Sequence, residues 1–186
     1  MLLDEPRLTD LPRAHFSEAE LDRRWHAAIT PRDGAIHALV ARRGGGGAHE
    51  LPARAPISVE HGLAGDRWYA TSPRDPEAQL SLIDLRIVRA LIEDARELHV
   101  PGDNLVVDLD LGVAALPVGA ELAIGAVVLA ITAKPHTGCV KFRARLGGDA
   151  LRWVNAAAAR DERRRGVFAR VITGGTIGVG DRVVAR

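Results

Sequence analysis

Cysteine is nearly absent from this chain: Cys139 is the only one in 186 residues. One cysteine cannot close an internal disulfide, so a reducing compartment fits, and redox chemistry at the thiol requires an external thiol, a metal or a cofactor. Lysine is almost as scarce, with Lys134 and Lys141 the only two among 25 basic residues and 23 arginines spread along the rest. Neither sign of charge dominates, and the formal net charge of +1 argues against a general phosphate-tracking surface for nucleic acid. No apolar run reaches the roughly 18 residues of a spanning helix. The first residues, "MLLDEPRLTDLPRAHF", alternate charge and proline where a secretory signal needs an apolar block. The expectation is a cytoplasmic protein with no membrane partner. Internal repeats and low-complexity linkers are missing as well, which with this length argues for one domain and a short appendage.

What is present describes a soluble, well-cored protein: 47% hydrophobic and 26% charged residues. Ser17 and Glu20 form a capping-box pattern at the head of "SEAELDRRWHAAI", predicting a helix over 17–29 that stops before Pro31. From residue 34 short apolar segments alternate with glycine and charge: "AIHALVARR", then "GGGG", then "HELPARAPISVEH". The four glycines read as a hairpin tip, because no strand-to-helix transition follows them to make a phosphate cradle. "LSLIDLRIVRALIEDARELHV" changes from strand to helix near Asp84, with Leu85, Val88, Leu91, Ile92 and Ala95 at helical spacing until Pro101 and Gly102 end it. "NLVVDLDL", "AELAIG" and "AVVLAIT" read as closely spaced strands, which favour a barrel or sandwich over a parallel sheet. "DALRWVNAAAA", 149–159, reads as a helix capped by Asp149, and "VFARVI", "TGGTIGVGD" and "RVVAR" as a terminal hairpin. The expected fold is mainly β with about three helices, divided into an N-terminal helical extension, 1–34, and a β-barrel domain, 35–186.

The chemistry centres on "KPHTGCVKF", 134–142. Cys139 follows a strand and a proline, where a chain leaves a sheet rim, and Lys141, Arg143 and His136 nearby would favour its thiolate. By residue type alone a lone cysteine is more often a small buried side chain than a reactive one. A structural zinc site on His136 and Cys139 lacks its other ligands, and no nucleophile signature supports a cysteine hydrolase. "HGLAGDRW" places Asp66 and Arg67 after two turn-forming glycines, as a local ion pair or an anion clamp; "GDN" at 102–104 is another polar turn.

Taken in order, "GLAGDRW", "QLSLI", "GDNLVVDLDLGVAALPVGAELAIGAVVLAIT", "PHTGCVKF", "RRRGVFARVITGG" and "TIGVGDRV" resemble the MOSC domain, named for the C-terminal domain of molybdenum cofactor sulfurases, in its short free-standing bacterial form. The resemblance implies a β-barrel and a pocket for molybdenum cofactor or a related anion. It implies that Cys139 carries sulfur as a persulfide or ligates molybdenum, in a sulfurtransferase or in a reductase of N-oxygenated compounds, with a non-catalytic cofactor- or anion-binding module as the alternative. Asp66 and Arg67, Asn104, Thr137, Lys141 and Arg165 then stand as cofactor-binding residues, and His136 as a neighbour of the thiol, a ligand contact or a plain loop hydrogen bond. No pyridoxal-phosphate domain and no iron–sulfur cysteine cluster accompany these blocks, so sulfur or electrons would come from an external donor protein. Two positions depart from the family pattern: Trp68 stands where histidine is frequent, and Ala78 where arginine is frequent before Gln79.

Overall fold

The computed structural model describes residues 15–29, 32–44 and 49–186. Helix α1 (Glu18–Ala27) starts where its cap predicts, with Ser17 Oγ accepting from Glu20 N at 3.3 Å. Strand β1 (Ile36–Leu39) follows, then β2 (Arg54–Ser58) and β3 (Gly62–Leu63). Between β1 and β2 an antiparallel bridge joins Ala41 to Glu50; of the intervening glycine run, 45–47 lie outside the described residues.

Strand β4 (Leu80–Asp84) runs directly into α2 (Leu85–Leu91), because the Asp84 carboxylate caps the helix by accepting from Arg86 N at 2.8 Å. The expected continuation of α2 to residue 100 does not occur. Arg24 of α1 donates to Ala90 O at 2.9 Å and also to Ile92 O, taking the carbonyls at the helix end. Downstream, Asp94 accepts from Arg96 N at 2.9 Å and starts a series of turns in its place.

The remaining strands are β5 (Leu105–Val107), β6 (Glu121–Ile124), β7 (Val127–Ile131), β8 (Val167–Thr173), β9 (Gly175–Gly178) and β10 (Val184–Ala185). Seven form one sheet in the order β1-β5-β4-β8-β7-β6-β10, and three form another in the order β3-β2-β9. Among the described residues only β4 and β5 pair in parallel, across the α2 crossover. The large sheet curls until its edges approach: Ala35 bridges Arg182, and Ile36 N donates to Asp181 O at 3.0 Å. The fold is mainly β, a half-barrel with three α-helices among the described residues. The glycine-rich end is not a single hairpin, since β9 leaves β8 to pair with β2 and β10 pairs with β6.

Two apolar layers hold this together. Leu80 and Leu82 face the barrel interior with Leu105, Leu129, Val167 and Ile177. Ile83 and Val106, one residue out of phase, face the helices and meet Leu21, Val88, Phe142 and Trp153. Both faces of β4 are therefore buried, which explains its nearly continuous apolar run.

Helix α3 (Val140–Asn155) begins nine residues earlier than the expected helix at Asp149, and its first-turn cap position is Cys139 itself. Phe142, Leu146, Ala150 and Trp153 give it one buried stripe. Gly147, at φ 90° and ψ 170°, breaks the helical path in the middle, so Asp149 lies within the second arm. Ala157–Ala159 form a separate 3-10 turn.

Candidate functional site

Cys139 sits where the chain passes from β7 to α3. The crossing loop is anchored at both sides. Thr132 Oγ1 donates to Glu77 O at 2.7 Å, and Lys134 pairs with Asp75. Asn155, at the far end of α3, returns to the loop because of the Gly147 break: its Oδ1 accepts from Gly138 N at 2.8 Å, and its Nδ2 donates to Gly138 O at 3.2 Å. The residue before the cysteine is thus held by both backbone polar groups.

The thiol is exposed. Its partial burial works against ionisation, yet the backbone N–H groups of Phe142 and Lys141, with the charges of Arg165 and Arg145, hold its pKa below the ordinary thiol value. The residues expected to activate it are therefore only partly the ones that do. Lys141 acts through its backbone amide while its side chain is exposed; Arg143 is also exposed.

His136 is buried and stacked on Phe168, ring centroids 4.1 Å apart. Burial, followed by repulsion from Arg165, pushes its pKa down to about 3 against the attraction of Asp103. The ring is neutral near pH 7, so it adds no positive charge beside the thiol. Its Nδ1 lies 3.6 Å from Asp103 Oδ1, beyond hydrogen-bond reach.

Arg165 is brought in by "RRRG". Gly166 follows it at φ 91°, where a Cβ would lie 2.0 Å from Leu82 O, so the close approach to β4 requires glycine. Arg165 Nη1 donates to Asp103 Oδ2 at 2.6 Å, and Arg145 Nη2 donates to Pro101 O at 3.0 Å. Burial opposes ionisation of Asp103, but Arg165 and the other nearby charges outweigh it and lower its pKa. Four buried polar atoms have no hydrogen-bond partner here: Asp103 Oδ1, His136 Nδ1, Arg145 Nε and Arg165 Nε. Two buried guanidinium N–H groups left over in one basic cluster fit an anionic ligand.

Asp66 and Asn104 turn their polar atoms into the protein. Asp66 accepts from Arg42 Nε at 2.8 Å, from Arg42 Nη2 at 2.9 Å and from Asn104 Nδ2 at 2.8 Å. Burial raises the Asp66 pKa, and its bonds to Arg42 more than reverse that. Asn104 also accepts from Ser81 N at 3.0 Å and donates to Val40 O at 3.0 Å. They form a scaffold beneath the site. Arg67 is half-buried on a cleft of about 450 Å³ with His61 and Tyr69, close enough to Arg145 for their charges to repel. Thr137 is exposed and lines another cavity, of about 570 Å³, with His136 and Arg165. Trp68, one of the two departures, donates Nε1–H to Asp75 O at 2.9 Å; Ala78 closes the 3-10 turn Pro76–Ala78. Gln79 donates to Val59 O at 2.7 Å and accepts from Val171 N at 2.7 Å, tying β4 to its surroundings.

Sequence reading missed Arg145, Asp103, Arg42 and Asn155. Of these only Asp103 had a local signal, as the middle residue of the polar turn "GDN".

The model of the MOSC domain matches residues 58–184, and the chain belongs to that family. Among solved structures, YiiM from Escherichia coli is 16% identical with TM-score 0.53, covering 82% of this chain and 70% of its own. The YuaD protein from Bacillus subtilis is 14% identical with TM-score 0.54, covering 80% and 93%. These likenesses show the fold. A search of curated proteins finds no match. MOSC domains are known for binding molybdenum cofactor. Among the described residues no group of three or more His, Cys, Asp or Glu side chains is arranged to hold a metal ion, and no helix is long and apolar enough to cross a membrane.

Proposed function

We propose that this protein binds molybdenum cofactor at Cys139, with the thiolate as its one soft ligand to the metal and Arg145, Arg165 and Arg67 as the anion-binding groups. The observation that carries this reading is an exposed thiol of lowered pKa beside two buried guanidinium groups whose Nε–H atoms have no partner. One thiolate is sufficient where a metal arrives with its own sulfur ligands, and arginine forks match a phosphate group. When bound, the cofactor supplies a redox-active metal of the kind that reduction of N-oxygenated compounds requires. The chain's own part is to lower the thiol's pKa, to neutralise the ligand's charge with arginine and to hold the loop through Asn155. Thr137 and the Lys141 ammonium stand at the open rim as further ligand contacts, His136 is a neutral neighbour, and electrons come from an external protein.

The exposure of Cys139 supports a second reading as a sulfur carrier. Its thiolate attacks the outer sulfur of a donor persulfide; a new S–S bond forms at Cys139, the donor's S–S bond breaks, and the donor departs as a thiolate.

Expression in a host that makes the cofactor, followed by molybdenum and pterin analysis and intact mass, tests both. Cys139→Ser is expected to lose molybdenum and retain pterin. Full molybdenum retention overturns the ligand role, and an adduct of one sulfur atom on Cys139, about 32 mass units, supports the carrier role. Pterin held stoichiometrically by the Ser variant, without turnover by either protein, identifies a binding module.

A further inference from the structure

The cavity of about 570 Å³ shares His136, Thr137 and Arg165 with the site at the thiol but is lined by neither Cys139 nor Arg145 nor Arg67. Its size is that of a small-molecule site, and its wall is mixed in the way such sites are, with Val113, Val118, Val154 and Val167 forming an apolar side. Five basic residues and one acid, Asp161, line the rest. Three of the basic groups are already paired: Lys134 with Asp75, Arg164 with Asp22 and Glu162, and Arg165 with Asp103. Arg163 donates to the backbone oxygens of Leu111 and Leu116, and neither it nor Arg160 has an acidic partner among the described residues. The five cations and the five acids named here balance, so position and not net charge recommends the cavity to an anion: the Arg160 guanidinium, exposed and without an acidic partner among the described residues, is the group left to receive one.

His136 supplies the polar anchor. Its buried Nδ1 is turned toward Asp103, and the two nitrogens of an imidazole point to opposite sides of the ring. Nε2 is therefore the ring's polar atom for the cavity that His136 lines. It sits on a ring fixed by the Phe168 stack, which makes it a well-placed single hydrogen-bonding group on a largely apolar wall.

We propose that this cavity binds an organic monoanion separate from the ligand at Cys139, with its apolar body on the valines, its charged group at Arg160 and a polar atom hydrogen-bonded to His136 Nε2. The class is an aromatic or branched aliphatic carboxylate or sulfonate. Arg160 is exposed and Val118 is 56% exposed, so both can be changed without disturbing the core.

Fluorescence titration of the full chain with anilinonaphthalene sulfonate, a monoanion with an apolar body, tests the site. One saturable site is expected. Arg160→Ala should weaken it about tenfold, the scale of a charge-assisted hydrogen bond. Val118→Trp should abolish it by filling the space, with the thermal midpoint of both variants unchanged. Binding of equal strength in both variants overturns the proposal. So does loss of pterin from Val118→Trp purified from a cofactor-making host, because the cavity would then belong to the cofactor. Cys139→Ser separates the two sites from the other side: its loss or retention of molybdenum bears on the thiol alone.

Discussion

Two buried arginine–aspartate pairs lie under the same face of the barrel, and they are built differently. Arg42 grips both oxygens of Asp66, and Asn104 and the Trp68 amide complete the carboxylate's bonds. Arg165 touches Asp103 through one nitrogen, and an oxygen of the acid and the Nε of the arginine remain unused. A saturated buried network favours one rigid arrangement, whereas an unsaturated one keeps bonding capacity for something else. The first pair reads as framework and the second as ligand-facing.

The largest effect should come from breaking the framework pair. Asp66→Ala leaves Arg42 charged and Asn104 half-bonded in a buried place, and is expected to cost about 3–5 kcal/mol in urea unfolding. A loss under about 1 kcal/mol would mean that the network is not what holds β3 and β5 to the barrel. Asn104→Ala should follow at about 1–3 kcal/mol, since it orphans Ser81 N and one bond of Asp66. Beside the second pair, Arg145→Met should change stability little and chemistry more. Removing a cation raises the Cys139 pKa, so the pH profile of iodoacetamide alkylation should move to higher pH; an unmoved profile would remove Arg145 from the site.

Acid stability sharpens the same contrast. His136 is kept neutral with its pKa at about 3, below the ordinary value of 6.5. The unfolded chain therefore takes up a proton first as pH falls, and stability declines from about pH 6.5 down toward 3, by at most about 1.4 kcal/mol per unit. Asp84, raised by burial to about 6, works in the opposite sense, gaining its proton first in the folded state over the upper part of that range. The lowered pKa values of Asp66 and Asp103 contribute stability that is lost only below the ordinary carboxylate range, as pH falls toward their folded values. Between pH 6 and 4 the opposed protonation of Asp84 offsets much of the His136 decline, so the thermal midpoint of His136→Phe should rise relative to the wild type as pH falls through that range; a constant difference between the two would place the proton elsewhere.

Much of the framework was legible locally. Ser17 and Asp84 mark helix starts because their side chains satisfy amides within three residues. The strand runs of β6 and β7 and the turn between them depend on near neighbours too. The end of α2 was not legible, because it is set by Arg24, more than sixty residues away in sequence. The start of α3 was hidden by Gly147, which interrupts the apolar stripe without ending it. The pairing of β9 with β2 was hidden for another reason: a glycine-rich segment signals a turn and carries no side-chain pattern to announce a partner strand.

At the site the division is the same. "KPHTGCVKF" and the ordered blocks around it made the MOSC family legible by themselves, since identity and spacing are properties of the chain. That the thiol's pKa is lowered by the backbone amides of Phe142 and Lys141 together with Arg165 and Arg145, that Asp66 and Asn104 are bonded into the scaffold, and that His136 is neutral were decided only by tertiary structure. Charge and burial act over a few ångströms in space, and residues 66, 103, 136, 145 and 165 are made neighbours only when the barrel closes and α3 folds against it.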